Sequence, residues 1–576
     1  MRRPESSSEK RKRIRLRFEL RRDESVSGRA RKPPYRRHTG AVGRAHCRCY
    51  SSAVNDEQRL LRHATRMAIV TLLSRLTGYL RDKVLAWVLG AEALNDAFRT
   101  AFRIPNAFRA LLAEGALHAA FVPALSRLTD DGESGRQARE LVRGLTAALL
   151  LATSTVVGLG IVLSPWLVRL YAPGFVGADG TFESAVLMNR LMFPYLALVS
   201  MAALLQGVLN SRDRFLLPAA TPIVFNLTVA AGGLWLSRGG SGAPVVLSLA
   251  VLIGGALQFL MQLPAVRAFG FRVRPLWRAL RSPAVSGVLL LMLPGIAVLG
   301  LNQINQFVTN RFASYLGEGA VTVQFYAYRV TELMYGGIVV QLTTVLLPMM
   351  SRQLRQQPSA ASLTLLDTVR LVSFVTLPTA TVLAIAARPV IGLLFGGGRF
   401  DVGAVAATGT TLAAYAFGLV ALGHAKVVAS AFFAQQNTRT PMIGSALALA
   451  VFTIACWLLS APLGVPGLGL ANTIAMFAYA VMLTAAYLHR YGLSGAPVGP
   501  TVLAIGRQLV ASAAIGWGLW LALPWLAGIE RTGGSEALRV LAVLAPVAAA
   551  YVALVVVMGG REPAALLAAL RGRGRA

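Results

Sequence analysis

Charged side chains interrupt two long apolar segments near the start of the chain, residues 67–90 and 95–127. The ionisable residues in these segments are Arg75, Arg81, Asp82, Lys83, Asp96, Arg99, Arg103, Arg109 and Glu114. A charge at the centre of a bilayer costs about 2.5–3.5 kcal/mol on insertion scales, so such side chains face a polar cavity or a charged partner. Basic residues outnumber carboxylates in this set, and a cavity lined mainly by arginine suits an anionic ligand.

The spacing of the charges in the second segment indicates how a helix presents them. Asp96, Arg99 and Arg103 recur at intervals of three and four residues and therefore share one helical face. The planar guanidinium group binds phosphate oxygens with two hydrogen bonds and stays charged when it is partly desolvated. Pro105 interrupts the hydrogen-bond ladder of the same helix, which gives a kink that widens the cavity, a hinge, or a packing kink without a functional role.

A later segment, FYAYRVTELMYGG, carries a second set of charges. Arg329 and Glu332 lie three residues apart on one helical face. They either neutralise each other or face the same cavity as the first set, and we favour the cavity.

The elements that position these charges are predicted to be membrane-spanning helices. Hydrophobic residues make up 55% of the chain and charged residues 14%, against about 45–50% and 25% in soluble domains. Apolar stretches of about 20 residues alternate with short polar turns, as expected for helices that cross a hydrocarbon layer about 30 Å thick. The sequence therefore predicts an all-α polytopic membrane protein with about 14 transmembrane helices. The predicted spans are 67–90, 93–124, 143–172, 184–210, 216–237, 244–266, 284–315, 320–350, 365–396, 403–433, 441–460, 465–488, 502–527 and 538–559.

A short internal repeat predicts how the spans are grouped. The sequence FVPALSR at 121–127 is echoed by LLPMMSR at 346–352, and each copy ends a charged span. A separation of six spans preserves orientation, which predicts two parallel six-helix lobes followed by two additional helices. The predicted regions are a disordered basic extension (1–57), an N-lobe with helices 1–6 (58–266), a C-lobe with helices 7–12 (267–490), helices 13–14 (491–560) and a basic cytoplasmic tail (561–576).

The formal net charge of +32 resembles that of a nucleic-acid-binding protein, but its distribution argues against this class. Much of the charge lies in residues 1–66, which lack the interleaved aromatic residues that stack on bases. That segment is either a polybasic stretch attracted to anionic lipid or an artefact of a start site placed upstream of Val54 or Met67. Loops on one side of the predicted membrane carry about three times as many Lys and Arg as those on the other, which predicts cytoplasmic N- and C-termini.

Metal and cofactor chemistry have little support in the sequence. Cys47, Cys49 and Cys456 form no metal-binding quartet, so we expect no metal, no cofactor and no structural disulfide. No nucleophile, base and orienting residue occur together in a recognisable pattern, so an enzyme acting on lipid-linked phosphate is not favoured.

Several motifs together resemble the MurJ/MviN family of lipid II flippases, within the multidrug/oligosaccharidyl-lipid/polysaccharide exporter superfamily. The resemblance covers residues from about 60 to 560. The motifs that carry it are SRLTGYLRD (74–82), NDAFRTAFRIPNAFRALLAEGALHAAFVP (95–123), GVLNSRDRFLLPAATPIVFN (207–226), QFLMQLP (258–264), AYRVTEL (327–333), VLLPMMS (345–351) and FFAQQNTRTP (432–441).

This resemblance implies a transporter in the bacterial inner membrane, not an enzyme. It moves undecaprenyl-diphosphate-linked peptidoglycan precursor from the inner to the outer leaflet by alternating access, and its partners are that anionic lipid and the membrane lipids. The substrate-binding residues that the resemblance and the charge pattern imply are Arg75, Arg81, Asp96, Arg103, Arg109, Glu114, Arg329 and Glu332, with Pro105 as a hinge. Asp96 and Glu114 are expected to orient the arginines in the absence of substrate. Arg99 is an additional charge where the family is expected to have an apolar residue, and we expect it at the periplasmic interface.

Two alternatives use the same fold for other substrates. One is a flippase for another lipid-linked oligosaccharide, and the other is a cation-coupled drug exporter. A drug exporter needs acidic residues to hold cationic drugs, whereas the predicted cavity is basic. We expect a monomer that binds no nucleic acid.

Overall fold

The computed structural model describes residues 42–112, 115–130, 135–526, 529 and 534–570, with side chains from residue 66 onward. Within these ranges the regular elements are helices, and the isolated bridge between Gly397 and Phe400 is the exception. The prediction of an all-α polytopic protein is therefore confirmed. Residues 1–41 of the predicted basic extension lie outside the described part, and residues 42–57 belong to the first helix.

The described residues of the first part of the chain form nine α-helices. They are α1 (Val42–Leu89), α2 (Ala93–Leu112), α3 (Ala116–Asp130), α4 (Gly135–Val162), α5 (Ser164–Tyr171), α6 (Thr181–Met192), α7 (Tyr195–Asn210), α8 (Leu216–Ser237) and α9 (Ala243–Ala268).

Eleven further helices follow in the described residues. They are α10 (Pro283–Ser314), α11 (Ala320–Gln356), α12 (Pro358–Ile385), α13 (Ala387–Phe395), α14 (Val402–Ala416), α15 (Gly418–Ala434), α16 (Arg439–Leu463), α17 (Val465–Tyr491), α18 (Gly499–Ala522), α19 (Gly534–Val557) and α20 (Glu562–Leu570).

Twelve helical segments of the described chain are long and apolar enough to cross a membrane. Some combine two consecutive helices, such as Thr181–Asn210 and Val402–Ala434. The predicted spans 67–90 and 284–315 correspond to α1 and α10, which are not among the twelve. Helix α1 is interrupted by charges, and the second half of α10 carries the polar residues Gln303, Gln306 and Arg311. The count of fourteen remains a prediction.

Large apolar side chains on the helix surfaces indicate contact with lipid. Val557 is 84% exposed, Trp525 is 78% exposed and Trp457 is 71% exposed. Soluble monomers rarely expose apolar patches of this extent, whereas a bilayer solvates them. Asp82, Asp96 and Arg99, in contrast, are buried between helices.

Separate apolar cores hold the helices together. One core joins α3, α4, α7 and α9 around Phe121 and Leu204. Another joins α11, α12, α15 and α17 around Phe432. A third brings α1 against α11, α13 and α14 through Tyr326. Helix α18 packs on α12, and α19 packs on α18. The two-lobe division with the boundaries given above remains a prediction.

Three loops meet at one end of the bundle, which we call the loop cluster: residues 90–92, 317–319 and 396–401. Arg399 forms an ion pair of 2.7 Å with Glu92, and its backbone N–H donates to the carbonyl of Trp87 at 2.9 Å. Glu318 accepts a hydrogen bond of 2.9 Å from the backbone N–H of Ala93. These contacts fix the start of α2 against the start of α11.

We expect Gly319→Ala to destabilise the loop cluster more than Gly317→Ala. Both glycines have positive φ, +79° and +96°, so alanine strains the backbone by about 1 kcal/mol at either position. At Gly319 the added Cβ would also overlap the carbonyl oxygen of Ala91, whereas at Gly317 it would meet open space. The overlap adds about 1–3 kcal/mol. Thermal unfolding of the purified variants tests this, and equal midpoints would contradict the close approach.

Candidate functional site

A cavity lined by arginines lies between α1, α2, α8, α9, α10 and α11. Its volume is about 320 Å³. Its lining residues are Arg81, Phe98, Arg99, Phe102, Arg103, Asn106, Arg109, Ala110, Phe225, Val229, Val251, Gln303, Gln306, Phe325, Tyr328, Arg329 and Glu332. Among the lining residues that the structure describes, Glu332 alone has a carboxylate, so the cavity is strongly cationic.

Helix α2 supplies three of the arginines from one face. Arg99, Arg103 and Asn106 are spaced by four and three residues, which stacks them along the helix toward the cavity. Arg109 follows one turn later, and its Nε donates to Asn106 Oδ1 at 2.8 Å. Arg103 donates to Asn310 Oδ1 of α10 at 3.3 Å. The predicted shared face of Arg99 and Arg103 is thus present in the structure.

Asp82 is the centre of an ion network that joins three helices. Its side chain is 1% exposed. Oδ1 lies 2.8 Å from Arg81 Nη2 and 3.4 Å from Arg99 Nη1, and Oδ2 lies 3.3 Å from Arg329 Nε. Three guanidinium groups compensate one buried carboxylate, which leaves positive charge available to the cavity.

Arg81 is aimed at the cavity by a second partner. Its Nη1 donates to Asn226 Oδ1 of α8 at 3.1 Å, while Nε and Nη2 face Asp82. Asn226 also contacts the carbonyl of Ser74 through its amide nitrogen at 3.4 Å. The side chain of Arg81 is 16% exposed, so it is positioned yet accessible.

Arg329 and Glu332 connect the cationic cavity to a neighbouring one. They form an ion pair of 2.8 Å, with the two side chains 40% and 49% exposed. The neighbouring cavity has a volume of about 220 Å³ and is lined by Arg75, Tyr79 and Asp82 as well as by this pair. Arg75 is exposed and lies in this second cavity, not with the arginines of α2. Glu332 is not the sole carboxylate beside Arg329, because Arg329 also faces Asp82.

Asp96 is directed away from the arginines that it is predicted to orient. It is 1% exposed, and its Oδ1 accepts hydrogen bonds from the N–H and the Oγ1 of Thr322 at 2.8 and 2.6 Å. Thr322 lies in the first turn of α11, where backbone N–H groups lack intrahelical partners. The carboxylate therefore caps α11, because that helix end offers two buried donors.

The remaining predicted site residues have different outcomes. Glu114 lies outside the described residues. Pro105 is buried inside α2, which continues as a helix on both sides of it, and its role as a hinge remains a prediction. Arg99 does not lie at an interface as expected. It is 7% exposed and packs over the ring of Phe325 at 3.9 Å, because α11 provides aromatic walls around it.

Several site residues were not predicted. Asp82 was recognised as a charge in an apolar segment, and its position beside Arg81 was the available signal of a pair. Asn226, Asn310 and Tyr326 have no such signal, because their arginine partners lie far away in sequence. No three His, Cys, Asp or Glu side chains of the described chain approach closely enough to hold a metal ion.

Comparison with known proteins identifies the family. A family model described as lipid II flippase MurJ matches residues 85–530. The probable lipid II flippase MurJ of Rhizobium meliloti is 35% identical over 500 residues, which cover 85% of this chain and 92% of that relative. The lipid II flippase MurJ of Burkholderia cenocepacia is 36% identical over 378 residues, which cover 65% of this chain and 73% of that relative.

Solved structures agree with this assignment at the level of the fold. A structure of lipid II flippase MurJ in an inward closed conformation aligns with a TM-score of 0.70 at 22% identity, and covers 86% of this chain and 97% of that one. An inward-facing multidrug resistance MATE family transporter of the MOP superfamily aligns with a TM-score of 0.60 at 16% identity, and covers 74% and 98%. The family model matches most of this chain, and relatives more than 30% identical cover more than two thirds of it. This chain therefore belongs to the MurJ family of lipid II flippases.

Proposed function

We propose that this membrane transporter moves lipid II, an undecaprenyl-diphosphate-linked peptidoglycan precursor, from the inner to the outer leaflet of the bacterial inner membrane. The observation that carries the proposal is the cavity in which five arginines are accompanied by one described carboxylate. A diphosphate carries adjacent negative charges and several acceptor oxygens, which planar guanidinium groups bind in pairs. Family membership supplies the identity of the lipid.

Arg81, Arg109 and Arg329 are proposed to bind the diphosphate directly. Arg81 and Arg329 come from α1 and α11, and Arg109 comes from α2, so the group would be held from three helices. Arg103 contributes positive charge deeper in the same cavity, where its described partner is the neutral amide of Asn310. Arg75 would meet the headgroup in the neighbouring cavity, between α1 and α11.

The polyprenyl chain is proposed to stay in lipid while the headgroup crosses through the cavity. An apolar chain gains nothing by entering a cationic, hydrated space, whereas the helix surfaces around it are apolar. The charge bias of the loops supports cytoplasmic N- and C-termini. The loop cluster would then close the periplasmic end, and transport would require its contacts to break and re-form.

A cation-coupled drug exporter is not favoured, although its fold is similar. A cationic drug in this cavity would face Arg81, Arg103 and Arg109 at close range. Like charges in a space of low dielectric constant repel strongly. An exporter of another anionic lipid-linked oligosaccharide remains compatible with the cavity charge.

Complementation of a strain depleted of its own lipid II flippase tests the proposal. We expect rescue by the wild-type chain, and by a chain that starts at Met67, because residues 67–570 contain the cavity. Arg109→Met should fail to rescue while reaching the wild-type level in membranes, because it removes a cavity charge without much loss of volume. Arg190→Met removes an exposed arginine of α6 outside the cavity and is the matched control.

The outcomes separate the possible substrates. Rescue by both arginine variants would contradict the cationic cavity as the binding site. Failure of the wild-type chain despite correct insertion, together with export of another diphosphate-linked lipid, would replace lipid II as the substrate.

A further inference from the structure

We propose that Arg99 is a fixed counter-ion for Asp82, which allows Arg81 and Arg329 to leave Asp82 and bind the anionic substrate. The inference rests on the proposed function for the nature of that substrate. It assigns a positioning role to a residue that the family resemblance did not place in the site.

The three arginines around Asp82 differ in how accessible they are from the cavity. Arg81 and Arg329 have side chains 16% and 40% exposed, and both line the cavity. Arg99 also lines the cavity, but its side chain is 7% exposed. Substrate in the cavity therefore reaches Arg81 and Arg329 more easily than Arg99.

The surroundings of Arg99 restrict its movement. Its Nε donates to Asn95 Oδ1 at 3.2 Å, and its Nη2 donates to the hydroxyl of Tyr326 at 2.7 Å. The guanidinium carbon lies 3.9 Å from the ring centroid of Phe325 and 4.9 Å from that of Tyr326. Cation–π contacts of this kind strengthen when they are desolvated.

Tyr326, which contacts Arg99, also contacts Asp82. The Tyr326 hydroxyl donates to the backbone carbonyl of Asp82 at 2.9 Å, so one hydroxyl links the arginine to the residue that it neutralises. Asn95 is fixed in turn by donating to the carbonyl of Gly90 at 2.6 Å. The pair Asp82–Arg99 is thus supported by contacts with α2 and α11 that do not require a bound substrate.

Arg329 contacts Asp82 without a hydrogen bond, whereas Arg81 and Arg99 both donate to Asp82 Oδ1. Oδ2 of Asp82 accepts no hydrogen bond from the described residues, and Arg329 approaches it by charge alone at 3.3 Å. Arg329 has Glu332 as a second, exposed partner. Arg329 can therefore turn toward a diphosphate without losing a well-formed hydrogen bond to Asp82.

The energetic need for a third arginine follows from the burial of Asp82. An unpaired carboxylate inside a protein is strongly unfavourable. If Asp82 had Arg81 and Arg329 as its sole counter-ions, the diphosphate would have to compete with it for them. With Arg99 in place, a neutral Asp82–Arg99 pair remains while both other arginines bind substrate.

A double-mutant cycle with Arg99→Met and Asp82→Asn tests the inference. Binding of undecaprenyl diphosphate and of purified lipid II would be measured on the full chain in detergent. We expect Arg99→Met to weaken binding of both lipids at least tenfold when Asp82 is present, and less than threefold in the Asp82→Asn background. An asparagine amide needs no counter-ion, so the requirement for Arg99 disappears with the carboxylate.

Other roles of Arg99 predict different results. If Arg99 binds the diphosphate directly, or only supports the fold, Arg99→Met would weaken binding equally in both backgrounds, which would overturn the inference. Thermal unfolding without ligand adds a second readout. The coupling between the two substitutions should be small there, because Arg81 and Arg329 still neutralise Asp82.

Two controls keep the test decisive. Arg99→Lys retains a positive charge, so it should lose less affinity than Arg99→Met. If Arg99→Met does not fold, Arg99→Gln takes its place in the cycle, because glutamine also removes the charge. Arg190→Met should bind as the wild type does. Binding of undecaprenyl diphosphate without binding of lipid II would refute lipid II as the substrate, while the cycle could still be measured with undecaprenyl diphosphate. Binding of neither lipid would refute both the proposed substrate and the proposed role of Arg99.

Discussion

Replacing Arg329 with methionine is expected to abolish transport without removing the protein from the membrane. Arg329 lines both cavities and stands between Asp82, 3.3 Å from its Nε, and Glu332, 2.8 Å from its Nη1. Under the proposed function, methionine removes a charge that attracts the diphosphate and leaves Glu332 at the edge of the cavity to repel it. Loss of one partner of a close charge pair costs about 2–5 kcal/mol of binding, which is at least about thirtyfold in affinity.

Complementation and direct binding of lipid II measure this effect together. Arg329→Lys is the informative comparison, because lysine keeps the charge but loses the planar fork that binds two oxygens at once. We expect it to retain part of the activity. Full rescue by Arg329→Met at normal membrane levels would show that the charge at this position does not serve substrate binding.

The sequence was sufficient to predict much of the fold. Apolar runs separated by short turns predicted a polytopic helical protein, because membrane thickness dictates helix length. The predicted number of spans and the twelve candidate spans differ at α1 and α10, where polar residues share the helix with apolar ones. Charges in α1 have tertiary partners such as Asn226, which no local pattern records.

The cationic character of the site was also predictable, because arginines within membrane-spanning helices face a polar cavity or a charged partner. Arg81, Arg103, Arg109 and Arg329 all line one cavity, as the excess of basic residues indicated. The carboxylates were harder to place. Asp96 has the same helical spacing as the cavity arginines, but its carboxylate instead accepts hydrogen bonds from Thr322 at the N-terminus of α11.

Arg99 illustrates the limit of local patterns. The side chain of Arg99 was expected to extend to the membrane–water interface, because long charged side chains in apolar helices usually place their charged group there. Its actual partner Tyr326 lies 227 residues later in the chain. Only the packing of α2 against α11 could reveal that two aromatic rings and a carboxylate surround it.

Replacing Asp96 with alanine is expected to destabilise the contact between α2 and α11. Thr322 is 0% exposed, and both its N–H and its hydroxyl donate to Asp96. Alanine leaves two buried groups without an acceptor and removes a negative charge from the N-terminus of α11. The cost is about 2–6 kcal/mol, because each of the two unsatisfied buried groups costs about 1–3 kcal/mol.

The effect should appear in thermal unfolding and in the opening of the loop cluster. Distance measurements between spin labels at positions near Glu92 and Arg399 should show a larger open population in Asp96→Ala than in the wild type. Asp367→Ala is the matched control, because that carboxylate is 64% exposed and forms an i,i+3 pair with Arg370. Exposed pairs contribute about 0–1 kcal/mol, so this variant should unfold nearly as the wild type does.

Combining Asp96→Ala with Thr322→Ala distinguishes the cap from a general loss of packing. If Asp96 acts through Thr322, the second substitution should add little, since the hydroxyl has already lost its acceptor. Additive losses in the double variant, or an unchanged open population in Asp96→Ala, would show that Asp96 does not hold α2 against α11. Such a result would indicate that the Glu92–Arg399 ion pair keeps the loop cluster closed. In that case the same spin labels should show a larger open population in Arg399→Met.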